Sequence, residues 1–269
     1  MKDNRTAKVN GIEINYEVHG KEGAPWLVLS HSLACSVRMW DPQIEAFKGS
    51  HRILNYDMRG HGRSSAPSVP YTLDMLADDV LGLVSFLKIE KATYCGLSIG
   101  GMIGQTLALR GKGPFERMVL CDTTHAQPPE ALKQWEDRIR IAESKGMAGL
   151  LDSTMERWFT EPFRKKNSPE FQKIRMLVER TPVAGYIGCG RAIMGLNTTA
   201  RLKEIRLPLL AITGEQDGAA PGTKHIGENV PGARFVSIPQ AAHIANVEQP
   251  EAFNRALREF LSSPASARA

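Results

Sequence analysis

A serine, an aspartate and a histidine with the spacing of an acyl-transfer site occur along this chain of 269 residues. Ser98 lies in GLSIG, a match to the G-x-S-x-G pattern, in which small residues allow a sharp turn from a strand to a helix. A serine hydroxyl attacks a carbonyl carbon efficiently only when a base accepts its proton and a third group orients that base. The pattern therefore predicts that Ser98 is a nucleophile held at a strand-to-helix junction.

The base and the acid are expected at the ends of later strands, with the acid before the histidine in the chain. Asp217 and His243 each follow a short apolar run and stand in that order. Glu215 and Asp122 also follow strand-like runs and are the alternative acids. We predict that Ser98, Asp217 and His243 form the catalytic triad.

Two backbone N–H groups are expected to stabilise the negative oxygen that forms when the nucleophile attacks. In this motif one comes from the residue after the nucleophile, Ile99, and the other from the loop after the third strand. That loop is read from SHSLACSVRMW and places Leu33 at the donor position. Because the donors are backbone groups, the apolar side chains of Leu33 and Ile99 are no obstacle, and His31 is expected to shape the loop.

Short apolar runs with little alternation predict the strands that must position these residues. Such runs are typical of strands buried on both faces of a parallel sheet. They occupy 26–30, 52–56, 93–96, 118–121, 209–213 and 235–238. Asn10-Gly11, between two earlier strand-like runs, predicts an antiparallel hairpin at the start. Because helix-like segments alternate with the runs, we predict an α/β fold with a mostly parallel sheet, an N-terminal antiparallel pair and helices on both faces.

The alternation of strands and helices stops between residues 125 and 202. Pro128-Pro129 is followed there by amphipathic helix-like stretches. They cover 131–145, 150–159 and 168–179. Helices inserted between two sheet strands are expected to lie above the strand ends as a lid. We therefore predict a core formed by 1–124 and 203–269, with 125–202 as the helical lid.

The charge of the chain is modest and dispersed. Lys and Arg number 34 against 29 Asp and Glu, which gives a formal net charge of +5. Binding to a nucleic-acid backbone needs a concentrated basic stripe, so this distribution argues against a nucleic-acid partner. A weak positive field instead suits a small anionic substrate.

Cysteine spacing and hydropathy exclude several other classes of protein. The four cysteines show no paired spacing, which indicates buried reduced thiols without a disulfide frame or a zinc site. No apolar run approaches the roughly 20 residues needed to cross a bilayer, so no membrane association is expected. These features predict a cytoplasmic protein without a zinc site, and they leave the oligomeric state open.

Together with YDMRGHGRSSAP at 56–67, these motifs resemble the α/β-hydrolase superfamily over nearly the whole chain. Four segments are more narrowly similar to the 3-oxoadipate enol-lactonases of the β-ketoadipate pathway of aromatic degradation. They are HSLACSVRMWDPQ (31–43), CGLSIGGMIGQ (95–105), VLCDTT (119–124) and AAHIANVEQPEAF (241–253). One departure is Ser32, where many members of the superfamily carry glycine. The resemblance implies a serine hydrolase that opens an enol-lactone ring through an acyl-enzyme on Ser98. The serine-hydrolase chemistry implied by this resemblance requires no metal or organic cofactor.

The substrate implied by this resemblance carries a carboxylate, so the pocket should offer a cation. Arg38, close to the oxyanion loop, is the first candidate, followed by Arg191 and Lys165. Trp135 and Trp158, in the lid region, are candidates for the pocket walls.

Other functions use the same constellation. A broad carboxylesterase, a perhydrolase of the cofactor-free haloperoxidase type and a carbon–carbon bond hydrolase share the serine, the acid and the histidine. Dehalogenases and epoxide hydrolases are disfavoured, because those relatives carry aspartate at the position of Ser98. Outside enzymes, the alternative is a ligand-binding protein with a vestigial triad. The intact set of nucleophile, base, acid and oxyanion loop favours catalysis.

Overall fold

A computed structural model describes residues 5–68, 70–111 and 113–263, and eight strands in these ranges form one sheet. In chain order, β1 to β8 are Arg5–Val9, Ile12–His19, Trp26–Ser30, Arg52–Tyr56, Ala92–Leu97, Phe115–Cys121, Leu209–Gly214 and Arg234–Ile238. Across the sheet the order is β1-β2-β4-β3-β5-β6-β7-β8. β2 pairs antiparallel with β1 and with β4, and all other pairs are parallel. The predicted fold class is confirmed.

Eleven α-helices lie in the same part of the chain. In chain order, α1 to α11 are Asp41–Phe47, Leu73–Phe86, Ile99–Arg110, Pro129–Lys145, Leu151–Trp158, Glu161–Lys166, Pro169–Arg180, Val183–Met194, Ala220–Asn229, Ala245–Glu248 and Pro250–Ser262. None of them combines the length and the apolar character that a membrane crossing needs. The sequence did not predict α8, because its small and apolar residues are mostly buried and give no polar face to recognise.

The central parallel strands bring the candidate residues to one edge of the sheet. β7 is buried at every position, and in the register of β5 with β6 Leu97 lies opposite Cys121. The carboxyl ends of parallel strands meet at the same edge, so the residues after β3, β5, β6, β7 and β8 gather there. The prediction of a strand buried on both faces is wrong for β8, in which only Ile238 is buried. The reason is that β8 is an edge strand and pairs with β7 alone.

Between β6 and β7 the chain forms α4 to α8 in place of strands. Within this segment α4 packs against α8, and α5 packs against α7. The two ends of the segment meet, since Ala126 bridges Asn197 and the Thr198 N–H donates to the carbonyl oxygen of His125 at 2.8 Å. The alternation of strands and helices stops where expected, and the lid role of 125–202 stays a prediction.

The four cysteines are free and buried, as their spacing indicated. In the described ranges, no group of three or more histidine, cysteine, aspartate or glutamate side chains is arranged to hold a metal ion.

Candidate active site

Ser98 forms the turn between β5 and α3 in a backbone conformation that L-residues rarely adopt. Its φ is 58° and its ψ is −115°. The Ser98 N–H donates to the carbonyl oxygen of Cys121 at 2.8 Å, and its own carbonyl accepts from Thr123 Oγ1 at 2.9 Å. Strain of this kind persists only where the surroundings hold the residue in place. The strained turn is therefore built by β6 as well as by the local sequence.

The glycines on both sides of Ser98 are required by close packing. A Cβ atom on Gly100 would lie 2.4 Å from the carbonyl oxygen of Ser30. A Cβ atom on Gly96 would lie 2.2 Å from the carbonyl oxygen of Gly100. Both distances are shorter than real Cβ contacts allow, so the G-x-S-x-G pattern has a steric basis in this protein.

His243 and Asp217, the predicted base and acid, are in hydrogen-bonding contact. The Nδ1 atom of His243 lies 3.0 Å from Oδ1 and 3.1 Å from Oδ2 of Asp217. The side chains of His243 and Asp217 are only 14% and 4% exposed. Because the carboxylate occupies Nδ1, Nε2 is the nitrogen that remains to accept a proton. Ser98, Asp217 and His243 line one cavity, and their catalytic roles stay a prediction.

The loop that carries His243 is fixed on both sides of that residue. The Ala242 N–H donates to Glu248 Oε2 at 2.9 Å, and the Ile244 N–H donates to the carbonyl oxygen of Trp158 at 3.2 Å. Glu248 is a buried carboxylate on α10 that the sequence did not single out. The position of the histidine therefore depends on α10 and on α5 of the segment between β6 and β7.

The predicted oxyanion loop is oriented by His31. Its Nδ1 lies 2.7 Å from the carbonyl oxygen of Ser32, and its Nε2 accepts from the Met58 N–H at 3.0 Å, so the ring hydrogen is on Nδ1. In a trans peptide the next N–H points opposite to the carbonyl, so His31 also sets the direction of the Leu33 N–H. Burial lowers the pKa of His31 to about 4, which keeps the ring neutral.

Both predicted oxyanion donors have a backbone position that suits the role. Leu33 lines the same cavity as Ser98. Ile99 is the first residue of α3, and the first N–H groups of a helix have no partner within the helix. The donation itself stays a prediction.

Asp122, one of the two alternative acids, does not contact His243. It is fully buried after β6, and its Oδ1 accepts from the Gly214 N–H at 2.7 Å. Burial, and after it the charge of Asp217, raises the pKa of Asp122 well above its usual range. Glu215 is exposed and accepts from the Gln240 N–H at 3.5 Å. The geometry favours Asp217 as the partner of the histidine.

We expect Asp122→Asn to be more stable than the wild type at neutral pH. From about pH 4 up to the raised pKa, the unfolded chain has released a proton that the folded protein retains, so the free energy of unfolding falls as pH rises. Asparagine does not titrate and avoids that loss. Urea unfolding at pH values from about 4 to 7 should show a difference between variant and wild type that grows with pH. A difference that is constant over this range would contradict the assignment.

The cavity around Ser98 has a volume of about 920 Å³. It lies between the strand ends and the helices of the segment between β6 and β7, and both predicted tryptophans, Trp135 and Trp158, line it. The Trp158 ring centroid is 5.9 Å from that of His243. The tryptophans are thus placed where a pocket wall was expected.

The predicted cations are elsewhere, which corrects the placement expected for them. Arg38 and Arg191 are not among the described residues that line the cavity. Arg38 pairs with Glu17, a buried carboxylate on β2, and with Asp41 at 3.1 Å. Arg191 is exposed on α8. The buried Glu17 carboxylate holds Arg38 because an unpaired buried charge is costly.

Two other arginines, Arg138 on α4 and Arg157 on α5, line the cavity. Arg138 lies 4.9 Å above the Trp135 ring, and Arg157 donates to Thr154 Oγ1 at 3.2 Å. Among the described residues no carboxylate forms an ion pair with either. Burial, and after it the like charge of Arg138, lowers the pKa of Arg157 to about 10. Guanidinium groups stay cationic at neutral pH. The cavity therefore presents two guanidinium groups that form no salt bridge within the described ranges, and the Glu156 carboxylate, whose charge favours the cationic form of Arg157, lines it as well.

Sequence reasoning missed both arginines, although a signal existed for one. Arg138 follows Trp135 by three residues on α4, a spacing that places both on one face. Arg157 is adjacent to Trp158, and no spacing rule indicated that both line the cavity.

A serine on a strained strand-to-helix turn, with an aspartate–histidine pair after later strands, is the arrangement expected of an α/β hydrolase. Residues 25–250 match the family described as alpha/beta hydrolase fold, and the chain belongs to this family. It is a hydrolase.

Within this family the chain is similar to enol-lactonases. It is 34% identical to 3-oxoadipate enol-lactonase 2 of Acinetobacter baylyi, with 97% of each chain covered. The crystal structure of the enol-lactonase from Burkholderia xenovorans LB400 is 38% identical, with a TM-score of 0.92 over 96% of this chain and 100% of that one. RutD of Agrobacterium fabrum, a proposed carbamate hydrolase, is 31% identical over 92% of this chain and 98% of its own. The narrower resemblance seen in the sequence is confirmed.

Proposed function

We propose that the protein hydrolyses 3-oxoadipate enol-lactone to 3-oxoadipate through an acyl-enzyme on Ser98, in the cytoplasmic degradation of aromatic compounds. The observation that carries the proposal is the arginine pair, Arg138 and Arg157, which lines the cavity that Ser98 and His243 share and forms no salt bridge among the described residues. The similarity to enol-lactonases supports it.

In the first step the Ser98 hydroxyl attacks the lactone carbonyl carbon, and Nε2 of His243 accepts its proton. Asp217 holds Nδ1 and stabilises the imidazolium that forms. The N–H groups of Leu33 and Ile99 bind the developing oxyanion.

Ring opening follows because an enolate leaves more readily than an alkoxide. The carbon–oxygen bond of the ring breaks, His243 returns the proton, and the enol stays attached to the acyl group on Ser98. A water molecule activated by His243 then cleaves the acyl-enzyme, and the released enol tautomerises to the ketone. Lactone and water together give 3-oxoadipate.

The arginine pair is proposed to bind the carboxylate of the substrate. We expect the Arg138→Gln/Arg157→Gln double variant to raise KM for the lactone by about 10- to 100-fold, the size of a charge-assisted hydrogen bond. KM for the neutral ester p-nitrophenyl acetate should change by less than about twofold, because that ester has no charge for the pair to bind. Steady-state kinetics on both substrates measure this contrast.

Arg140→Gln is the matched control, since Arg140 is an exposed arginine of α4 that pairs with Asp137. Its KM should be unchanged for both substrates. Equal effects of the double variant on the lactone and on the neutral ester would exclude the arginine pair as the carboxylate site.

The direct test of the proposed function compares the hydrolysis rates of 3-oxoadipate enol-lactone and p-nitrophenyl acetate in the wild type and in Ser98→Ala. A large preference for the lactone that disappears in Ser98→Ala is expected. If the ester is cleaved well and the lactone hardly at all, the second candidate function, a broad carboxylesterase, replaces the first. The cavity volume of about 920 Å³ favours that alternative, because it exceeds what a small lactone needs.

A further inference from the structure

Two histidines line the cavity and have no part in the proposed mechanism. The His125 and His225 rings are stacked, with centroids 4.1 Å apart and planes inclined by 28°. His125 lies in the connection between β6 and α4, and His225 lies on α9. They line the same cavity as Ser98, but they belong to other elements than the arginine pair on α4 and α5.

The two imidazoles retain unused hydrogen-bonding capacity. Nδ1 of His125 is bonded to Thr199 Oγ1 at 2.7 Å, so its Nε2 is the nitrogen left over. The His225 ring makes no hydrogen bond to any residue in the described ranges. An imidazole presents two ring nitrogens for hydrogen bonding, so the stack can offer a donor to a ligand in the cavity.

The cavity has room for a ligand that reaches beyond Ser98. Its volume of about 920 Å³ lies near the upper end of the roughly 300–1,000 Å³ typical of sites for drug-sized ligands. A five-membered lactone with one short acid arm is much smaller than such a ligand.

We propose that the His125–His225 stack is a second recognition subsite, which binds a carboxylate at the far end of an acyl ligand. The cavity then takes open-chain acids with carboxylates at both ends, one at the arginine pair and one at the histidine stack. The inference rests on the proposed function in one respect only, namely that the arginine pair binds a carboxylate.

Isothermal titration calorimetry of the wild type with linear dicarboxylates from succinate to suberate, each beside the monocarboxylate of equal length, tests this subsite. One of these dicarboxylates should be long enough to reach from the arginine pair to the histidine stack. For that ligand we expect the Kd to be at least about tenfold lower than for the monocarboxylate of equal length, which is the effect of one charge-assisted hydrogen bond. The advantage should disappear in His225→Phe and in His125→Phe, which retain a stacked ring without its donor. His51→Phe, a histidine that does not line the cavity, should keep it.

Equal affinities for the two series in the wild type would overturn the subsite, as would an advantage that survives in both phenylalanine variants. Thermal unfolding of each variant shows whether its substitution disturbs the fold. If one of the two phenylalanine variants is disturbed, the Kd values of the other one test the subsite. Because calorimetry measures binding without turnover, a protein that fails to hydrolyse the lactone can still show the dicarboxylate advantage. The two proposals therefore fail separately.

Discussion

Ser98→Ala is expected to lower kcat for ester and lactone hydrolysis by about 10⁵- to 10⁶-fold, the effect of removing the nucleophile from a serine triad. Alanine removes only the hydroxyl, and the backbone bonds from Ser98 to Cys121 and Thr123 that hold the turn are retained. The fold should therefore be intact while covalent catalysis is lost. Single-turnover kinetics and labelling by an organophosphonate probe measure the loss.

Ser144→Ala supplies the control for this experiment. Ser144 is an exposed serine on α4 whose hydroxyl donates to the carbonyl oxygen of Arg140. Its replacement should leave both turnover and labelling unchanged. Labelling of Ser98→Ala at the wild-type rate would show that another residue is the nucleophile.

Asp217→Asn is expected to lower kcat by about 10⁴-fold. The carboxylate accepts the Nδ1 hydrogen of His243 and so leaves Nε2 free to take the proton of Ser98. An asparagine amide directed at Nδ1 favours the other tautomer, in which Nε2 carries the hydrogen and cannot act as the base. Steady-state kinetics across the neutral pH range check the loss.

Asp122→Asn is the matched comparison, because it makes the same chemical change at the other buried aspartate. Asp122 contacts Gly214, and it has no contact with His243, so kcat should stay within about tenfold of the wild type. If Asp122→Asn is the variant that loses activity while Asp217→Asn retains it, the acid has been assigned to the wrong residue.

The parts of the site that sequence reasoning predicted are those whose constraints lie close together along the chain. Gly96 and Gly100 are needed because of contacts within the turn and with β3, so the GLSIG pattern shows where the turn is. Asp217 and His243 lie in the loops after β7 and β8, where the sequence placed the acid and the base. Alternation of buried strands with helices indicated the fold for the same reason, since each element shows its own burial pattern.

Charge placement was decided only by the tertiary structure. Arg38 is near the oxyanion loop in sequence, yet it pairs with Glu17 on β2 and does not line the cavity. Arg138 and Arg157 lie far from Ser98 in the chain and reach its cavity because residues of α4 and α5 form part of the cavity lining. A local sequence pattern reflects only the contacts that a residue makes with residues close to it in the chain. Which ion pair forms, and which charge is left unpaired, depends on partners that only the folded chain brings together.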